Sequence, residues 1–343
     1  MALGILALLG ALIGGVVRLG WLLAAPAALS AFHGPLMVAG FLGTMISLER
    51  AVAVERVWAY AAPVATGVGA LALAAGVPGA LWLMAMGSAV MVVALIEVVR
   101  RHVALFTTIM AVGACSWLTG QILLAAGWPI HRVVVWWMGF FVLTIAGERL
   151  ELARLRRLGA AIRAAFLVPL LVLLVGLAMT LVAADTGIRV VGAALMALAA
   201  WFGTFDVARR TVRRPGLARF IAVALLAGYA WLGIAGALAL WFGNVAAGFP
   251  YDAILHALFL GFVFSMIFGH APIVFPAVLG VGVPYRSRFY VHLALLHASL
   301  VLRIVGDLAS WSAVRRWGGV LNALAILVFL GNTVSAALRR RRE

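Results

Sequence analysis

The sequence predicts an all-α integral membrane protein of about 12 transmembrane helices, and three observations predict it. The 343 residues are 66% hydrophobic and only 10% charged, with a mean hydropathy of +1.17, far from the roughly one-quarter charged profile of a soluble domain. Apolar runs of about 20 residues, long enough to cross a bilayer as helices, recur along the whole chain. Turns bearing proline or glycine, and most of the arginines, fall between them. The formal net charge of +16 is therefore a topology signal and not a nucleic-acid surface, since every basic residue is arginine and most stand in short loops. Cys115 is the only cysteine, which excludes internal disulfides, CxxC chemistry and cysteine-ligated iron–sulfur clusters. Any cofactor must be held by histidine, carboxylate or methionine.

In chain order the expected spans are 2–24, 32–54, 59–75, 79–99, 103–126, 132–152, 161–184, 189–206, 218–243, 251–278, 289–311 and 314–338. The first lacks a basic leading segment and an A-x-A-type cleavage site, so it reads as a retained helix. Pro26, Pro78-Gly79, Gly127-Trp128-Pro129, Pro215-Gly216 and Gly248-Phe249-Pro250 punctuate the boundaries. Trp21, Trp58, Trp128, Trp241, Trp311 and Trp317 lie near span ends, as an aromatic belt requires. Loops after the even-numbered spans carry Arg50, Arg56, Arg100 and Arg101, then Arg149, Arg154, Arg156, Arg157 and Arg163. Arg209, Arg210, Arg213, Arg214 and Arg219 follow, then Arg286 and Arg288, and Arg339 to Arg342 at the tail. The opposite loops hold only Arg132, Arg189, Arg315 and Arg316. Both termini are thus expected in the cytoplasm, with the chain in a bacterial inner membrane.

Spans two, six and ten share a pattern, G-F-x4-I-x2-[E/H]. It starts at Gly40, Gly139 and Gly261 and ends at Glu49, Glu148 and His270. Each copy follows a histidine near the outer end of its span: His33, His131 and His256. A repeat on these three spans predicts three four-helix units, 1–102, 103–214 and 215–343, around a pseudo-threefold axis within one polytopic domain.

Twelve spans, three four-helix units and histidines on helices two and ten resemble the core subunit of the haem-copper oxidases. Two segments are similar in wording to the NnrS family of haem- and copper-containing membrane proteins linked to nitric-oxide stress and denitrification. They are Phe32-His33-Gly34-Pro35-Leu36-Met37 and His256-Ala257-Leu258-Phe259-Leu260-Gly261, continuing to Met266. The resemblance covers the topology of the chain but only these two segments in residues. It implies a b-type haem, with copper as a second metal, and nitric oxide or another diatomic gas as ligand. The oxidase active site is not reproduced, because span seven has no adjacent histidine pair and span six no histidine–tyrosine pair. Oxygen reduction of the oxidase kind is not implied, and no catalytic residue is assigned.

His33 and His256 open helices of the same direction, and a haem iron takes two axial imidazoles facing across a gap. They form the expected axial pair, with Pro35 fixing the entry of the second helix. His270 lies about 21 Å further along its helix than His256, so one iron cannot bind both. It is expected to pair with His292 or His297 of span eleven, as a second haem or a copper site. The alternative is a polar plug of hydrogen-bonded histidines without metal. His102 and His131, beside Arg101 and Arg132, read as interfacial. Arg303 and Asp307 have the i,i+4 spacing of a helix-face ion pair. In the functional reading Arg303, Arg315, Arg316 and Arg18 meet haem propionates, with Arg315 and Arg316 in the last loop. Glu49, Glu148 and His270 share a repeat position, as a proton relay or a structural knot. Asn244, Tyr251 and Asp252 are placed to hydrogen-bond a ligating histidine's second nitrogen. Rival readings are a proton-coupled transporter and a cofactor-free assembly scaffold.

Overall fold

The computed structural model describes residues 1–153 and 159–340. Arg154, Arg156 and Arg157, and Arg341 and Arg342, which contribute to the arginine topology, lie outside the described residues. The described chain is helical, in the expected order. The long helices are α1 Ala2–Arg18, α2 His33–Val54, α3 Val57–Ala74, α4 Ala80–Arg101, α5 Leu105–Ala125 and α6 Ile130–Ala153. They continue as α7 Ala160–Met179, α8 Ala184–Phe205, α9 Leu217–Phe242, α10 Phe249–Val278, α11 Phe289–Leu308 and α12 Ser312–Arg340. Eleven of these, α2 to α12, are long and apolar enough to cross a membrane. The chain is a multi-pass membrane protein.

α1 is the exception. Its 17 residues reach about 26 Å, short of a ~30 Å hydrocarbon core. It ends at Arg18 and not near residue 24, because Gly20 turns to φ 84 and the chain runs without helix toward Pro26. At the other end α12 starts at Ser312, so Arg315 and Arg316 stand in its first turns and not in a loop. Positive φ at Gly76, Gly79, Gly127, Gly216 and Gly248 ends or starts helices at the punctuated boundaries.

The chain divides into two compact units, Met1–Glu151 and Leu152–Glu343. In the first, Trp117 of α5 packs on Trp137, Phe140 and Phe141 of α6, with centroids 4.8 to 6.2 Å apart. In the second, Gly192 of α8 and Gly236 of α9 let the two backbones meet, as small residues do between membrane helices. The α11–α12 hairpin is drawn together in the same way. Gly306 lies against the backbone of Arg315, and Gly318 against that of Arg303.

The repeat has a structural counterpart in burial. The most hydrophobic windows of α2, α6 and α10 are 61%, 78% and 72% buried, against 28–50% for the other eight crossing helices. The helices carrying G-F-x4-I-x2 are thus the inner ones. Two of them also share a local device. The backbone opens to π-helix over Leu36–Gly43 in α2 and over Ala257–Val263 in α10. Both segments start four residues before the repeat glycine, whereas α6 stays α-helical through the same position. Such π segments cost regular hydrogen bonding and recur at functional sites.

Candidate functional site

α10 begins after Gly248 with Pro250 in its first turn, where proline sacrifices no helical hydrogen bond. Asp252 follows in that turn, where the helix dipole favours a carboxylate. His256 stands one turn further on, so its ring Nδ1 lies 2.9 Å from the Asp252 backbone carbonyl and 3.4 Å from Asp252 Oδ1. Arg303 reaches Asp252 from α11 with both arms of its guanidinium, Nε to Oδ2 at 2.8 Å and Nη2 to Oδ1 at 2.9 Å. Arg315, from α12, lies 3.6 Å from Asp252 Oδ1 and places its Nε 2.9 Å from Asp307 Oδ1. The Asp307 side chain is fully buried. Two carboxyl groups and two guanidiniums therefore stand together beside one histidine, where an unpaired charge would be costly.

The expected Arg303–Asp307 helix-face pair is corrected here. Arg303 turns to Asp252 of α10, and Asp307 is served by Arg315 of α12. A planar fork gains more from a bidentate carboxylate on a facing helix than from a glancing i,i+4 neighbour. The fork expected for a haem propionate thus holds a carboxylate of the chain itself. Arg18 bonds the Ser30 carbonyl at 3.2 Å, and Arg316 is half-buried in the first turns of α12.

The five candidate ligands fall into two chemical groups. His33 Nδ1 lies 2.7 Å from the Ala11 carbonyl, His256 Nδ1 2.9 Å from that of Asp252, and His270 Nδ1 2.8 Å from that of Met266. A carbonyl only accepts, so each Nδ1 carries the proton and each neutral ring has its lone pair on Nε2. This is the tautomer of a ligand whose second nitrogen is anchored. His297 is the reverse. The Trp231 indole donates to its Nδ1 at 3.0 Å, so the neutral ring carries its proton on the buried Nε2. His292 is buried in α11 among Phe220, Phe268, Phe289 and Phe329, with ring centroids 4.9 to 6.2 Å away. Its Nδ1 is 3.2 Å from the Asn332 amide nitrogen of α12.

His33 belongs to the first unit, while His256, His270, His292 and His297 belong to the second. Within the second unit His270, His292 and His297 each have different partners. Among the described residues, no three His, Cys, Asp or Glu side chains group as a metal site. In the first unit Arg50 bonds Glu148 of α6 and lies 3.9 Å from Glu49. Arg50 thus pairs across helices with Glu148, one repeat position, and lies near its own neighbour Glu49, another. His102 caps the end of α4 and His131 stands in the first turn of α6.

Sequence reasoning missed the Arg303–Asp252 clamp and the Trp231–His297 bond, which join residues 51 and 66 apart. The one available signal was Asp252 itself, a lone carboxylate opening an apolar helix, which demands a cationic partner.

The family described as "Domain of unknown function (DUF8744)" matches residues 1–338. No curated protein and no solved structure matches the chain significantly.

Proposed function

The chain belongs to the DUF8744 family, and from that premise and the chemistry of its histidines we propose that it is a haem-binding protein of the bacterial inner membrane. In this reading it binds a diatomic gas such as nitric oxide, or passes electrons. His256 is an axial ligand through Nε2, and His33 offers the same ligand chemistry in its own unit.

One observation carries the reading. His33 and His256 each donate Nδ1–H to a backbone carbonyl, and each precedes a π segment that starts at the same repeat position. Two histidines far apart in sequence share a tautomer and a local backbone device. A core histidine also anchors a ring nitrogen, as His270 does, so the π segment that follows each is what sets this pair apart. Bound haem would supply an iron that changes valence and takes a gas at an open position. The chain's part is to orient each imidazole through its Nδ1 anchor and to exclude water with the most buried helices.

The test is absorption spectroscopy and metal analysis of protein produced with ample haem. The wild type should show a Soret band that shifts on adding nitric oxide or carbon monoxide. His33→Ala and His256→Ala should lower haem content or change its ligation, and copper content is read in the same samples. Colourless protein without bound copper overturns the assignment. Reporter fusions at the two termini test the cytoplasmic orientation that the arginines favour.

A second reading, proton-coupled transport, is favoured by the buried Asp252–Arg303 and Asp307–Arg315 pairs at α10–α12. Uptake that follows a proton gradient in liposomes, by colourless protein, would favour it.

A further inference from the structure

We infer that Arg303 and Asp252 act as opposed controls on the electron donation of the His256 imidazole; this rests on the reading of His256 as an iron ligand. Three distances define the arrangement. His256 Nδ1 is 2.9 Å from the Asp252 carbonyl and 3.4 Å from its Oδ1. Both oxygens of that carboxylate are taken by Arg303, at 2.8 and 2.9 Å. Arg315 stands 3.6 Å from Oδ1 on the other side.

A carboxylate that captures an imidazole N–H gives the ring imidazolate character and makes the opposite nitrogen a stronger donor, which favours ferric over ferrous iron. Here the carboxylate stands within reach of Nδ1, yet the weaker backbone carbonyl takes the proton. The carbonyl contact is the one a helical histidine makes to the residue four before it, as His270 does to Met266, and what the arginine fork adds is a second hold on the carboxylate. Arg303 neutralises Asp252 and fixes its plane, so the negative charge is held off the ring by a few tenths of an ångström. Arg303 is only 7% exposed, so water screens this balance weakly. Asp307 belongs to the same group, since it lies 2.9 Å from the Nε of Arg315, whose Nη2 is 3.6 Å from Asp252. Asp252 and Arg303 are thus positioning residues that act on the metal through His256.

The two side chains should push the iron in opposite directions. In a redox titration of the haem-loaded full chain, followed by its visible spectrum, Asp252→Asn should raise the reduction potential. The expected size is about a tenfold change in the ferrous-to-ferric ratio at a fixed applied potential, or ~59 mV for one electron. Arg303→Gln should free the carboxylate to take Nδ1–H and lower the potential by a similar factor. A plain Coulomb effect gives the same two signs, so the double variant decides. If Arg303 acts through Asp252, Arg303→Gln has no effect in the Asp252→Asn background. Additive shifts overturn the inference.

Each single variant leaves a buried charge without its partner and risks misfolding. The double variant removes both charges, and Arg303→Lys keeps the charge while losing the fork, so it should lie between wild type and Arg303→Gln. Shifts of the same sign in both single variants overturn the inference, as does a potential that none of these changes moves by as much as threefold in the ratio. Wild-type protein that holds no haem overturns the functional reading, and this inference falls with it. A haem-loaded wild type whose potential ignores Asp252 and Arg303 overturns the inference alone.

Discussion

The Trp231 indole of α9 donates to His297 Nδ1 of α11 at 3.0 Å, and its ring lies against Gly261 of α10. Gly261 lies in the π segment of α10, and a Cβ there would meet the Trp231 ring, with Cδ2 at 2.8 Å. Gly261→Ala should therefore destabilise the second unit by the ~1–3 kcal/mol typical of overpacking. Trp231→Ala, which removes the side chain from Cγ outward, should relieve part of that loss in the double variant. Thermal unfolding in detergent measures both, and additive losses would mean that the two residues do not share the space.

Trp231→Phe keeps the ring and removes the donor. The expected cost is about 1 kcal/mol for one neutral hydrogen bond, or less in a membrane interior. Haem content should stay at the wild-type level, because His297 acts as a hydrogen-bond partner in this arrangement. A parallel loss of haem would place a metal at His297.

In the first unit His33 rests against α1, where a Cβ at Gly15 would lie 2.8 Å from His33 Cε1. Gly15→Ala should rotate the imidazole and stretch its Nδ1 bond to the Ala11 carbonyl. The expected result is a haem spectrum altered in the same sense as that of His33→Ala, with the fold kept. An unchanged spectrum would argue that His33 holds no iron.

What the sequence made legible follows from what each feature depends on. Helix positions depend on local hydrophobic length and on turn residues, so the expected spans and the observed helices share most of their residues. α1 and the start of α12 differ because Gly20 and Ser312 act through backbone geometry that hydropathy does not register. The π segments were invisible for a deeper reason. Leu36–Gly43 and Ala257–Val263 have the composition of any apolar helix, and neighbours that pack on them, such as Trp231 on Gly261, come from distant parts of the chain. Partner choice was equally hidden. Spacing alone ranks Asp307 first for Arg303, but the facing helix supplies Asp252.

The shared arginine of the first unit yields a stability prediction. Arg50 bonds Glu148 and lies near Glu49, so Glu148→Gln should cost about 1 kcal/mol of stability, read as a lower thermal midpoint, since Glu148 is partly exposed and its pairing is screened. Arg50→Gln should cost more, because Arg50 is the more buried partner and stands beside both Glu148 and Glu49. If both variants were neutral in unfolding but changed proton uptake in liposomes, the relay reading of these repeat positions would displace the knot.

His292 gives the sharpest contrast between ligand and packing. Its ring fills a box of phenylalanines with Nε2 buried and without a hydrogen-bond partner, a situation that costs ~1–3 kcal/mol for a polar atom. If its place is structural, replacing the polar atoms with a ring of the same kind should recover part of that cost. His292→Phe alone strips the Asn332 amide of its partner, so the informative variant is His292→Phe with Asn332→Leu. It should unfold at the wild-type temperature or above, with the Soret band undiminished. A histidine that ligates metal cannot behave this way, because its loss removes the bond that made burying Nε2 worthwhile. A fall in haem or copper content in the double variant would therefore place a metal at His292.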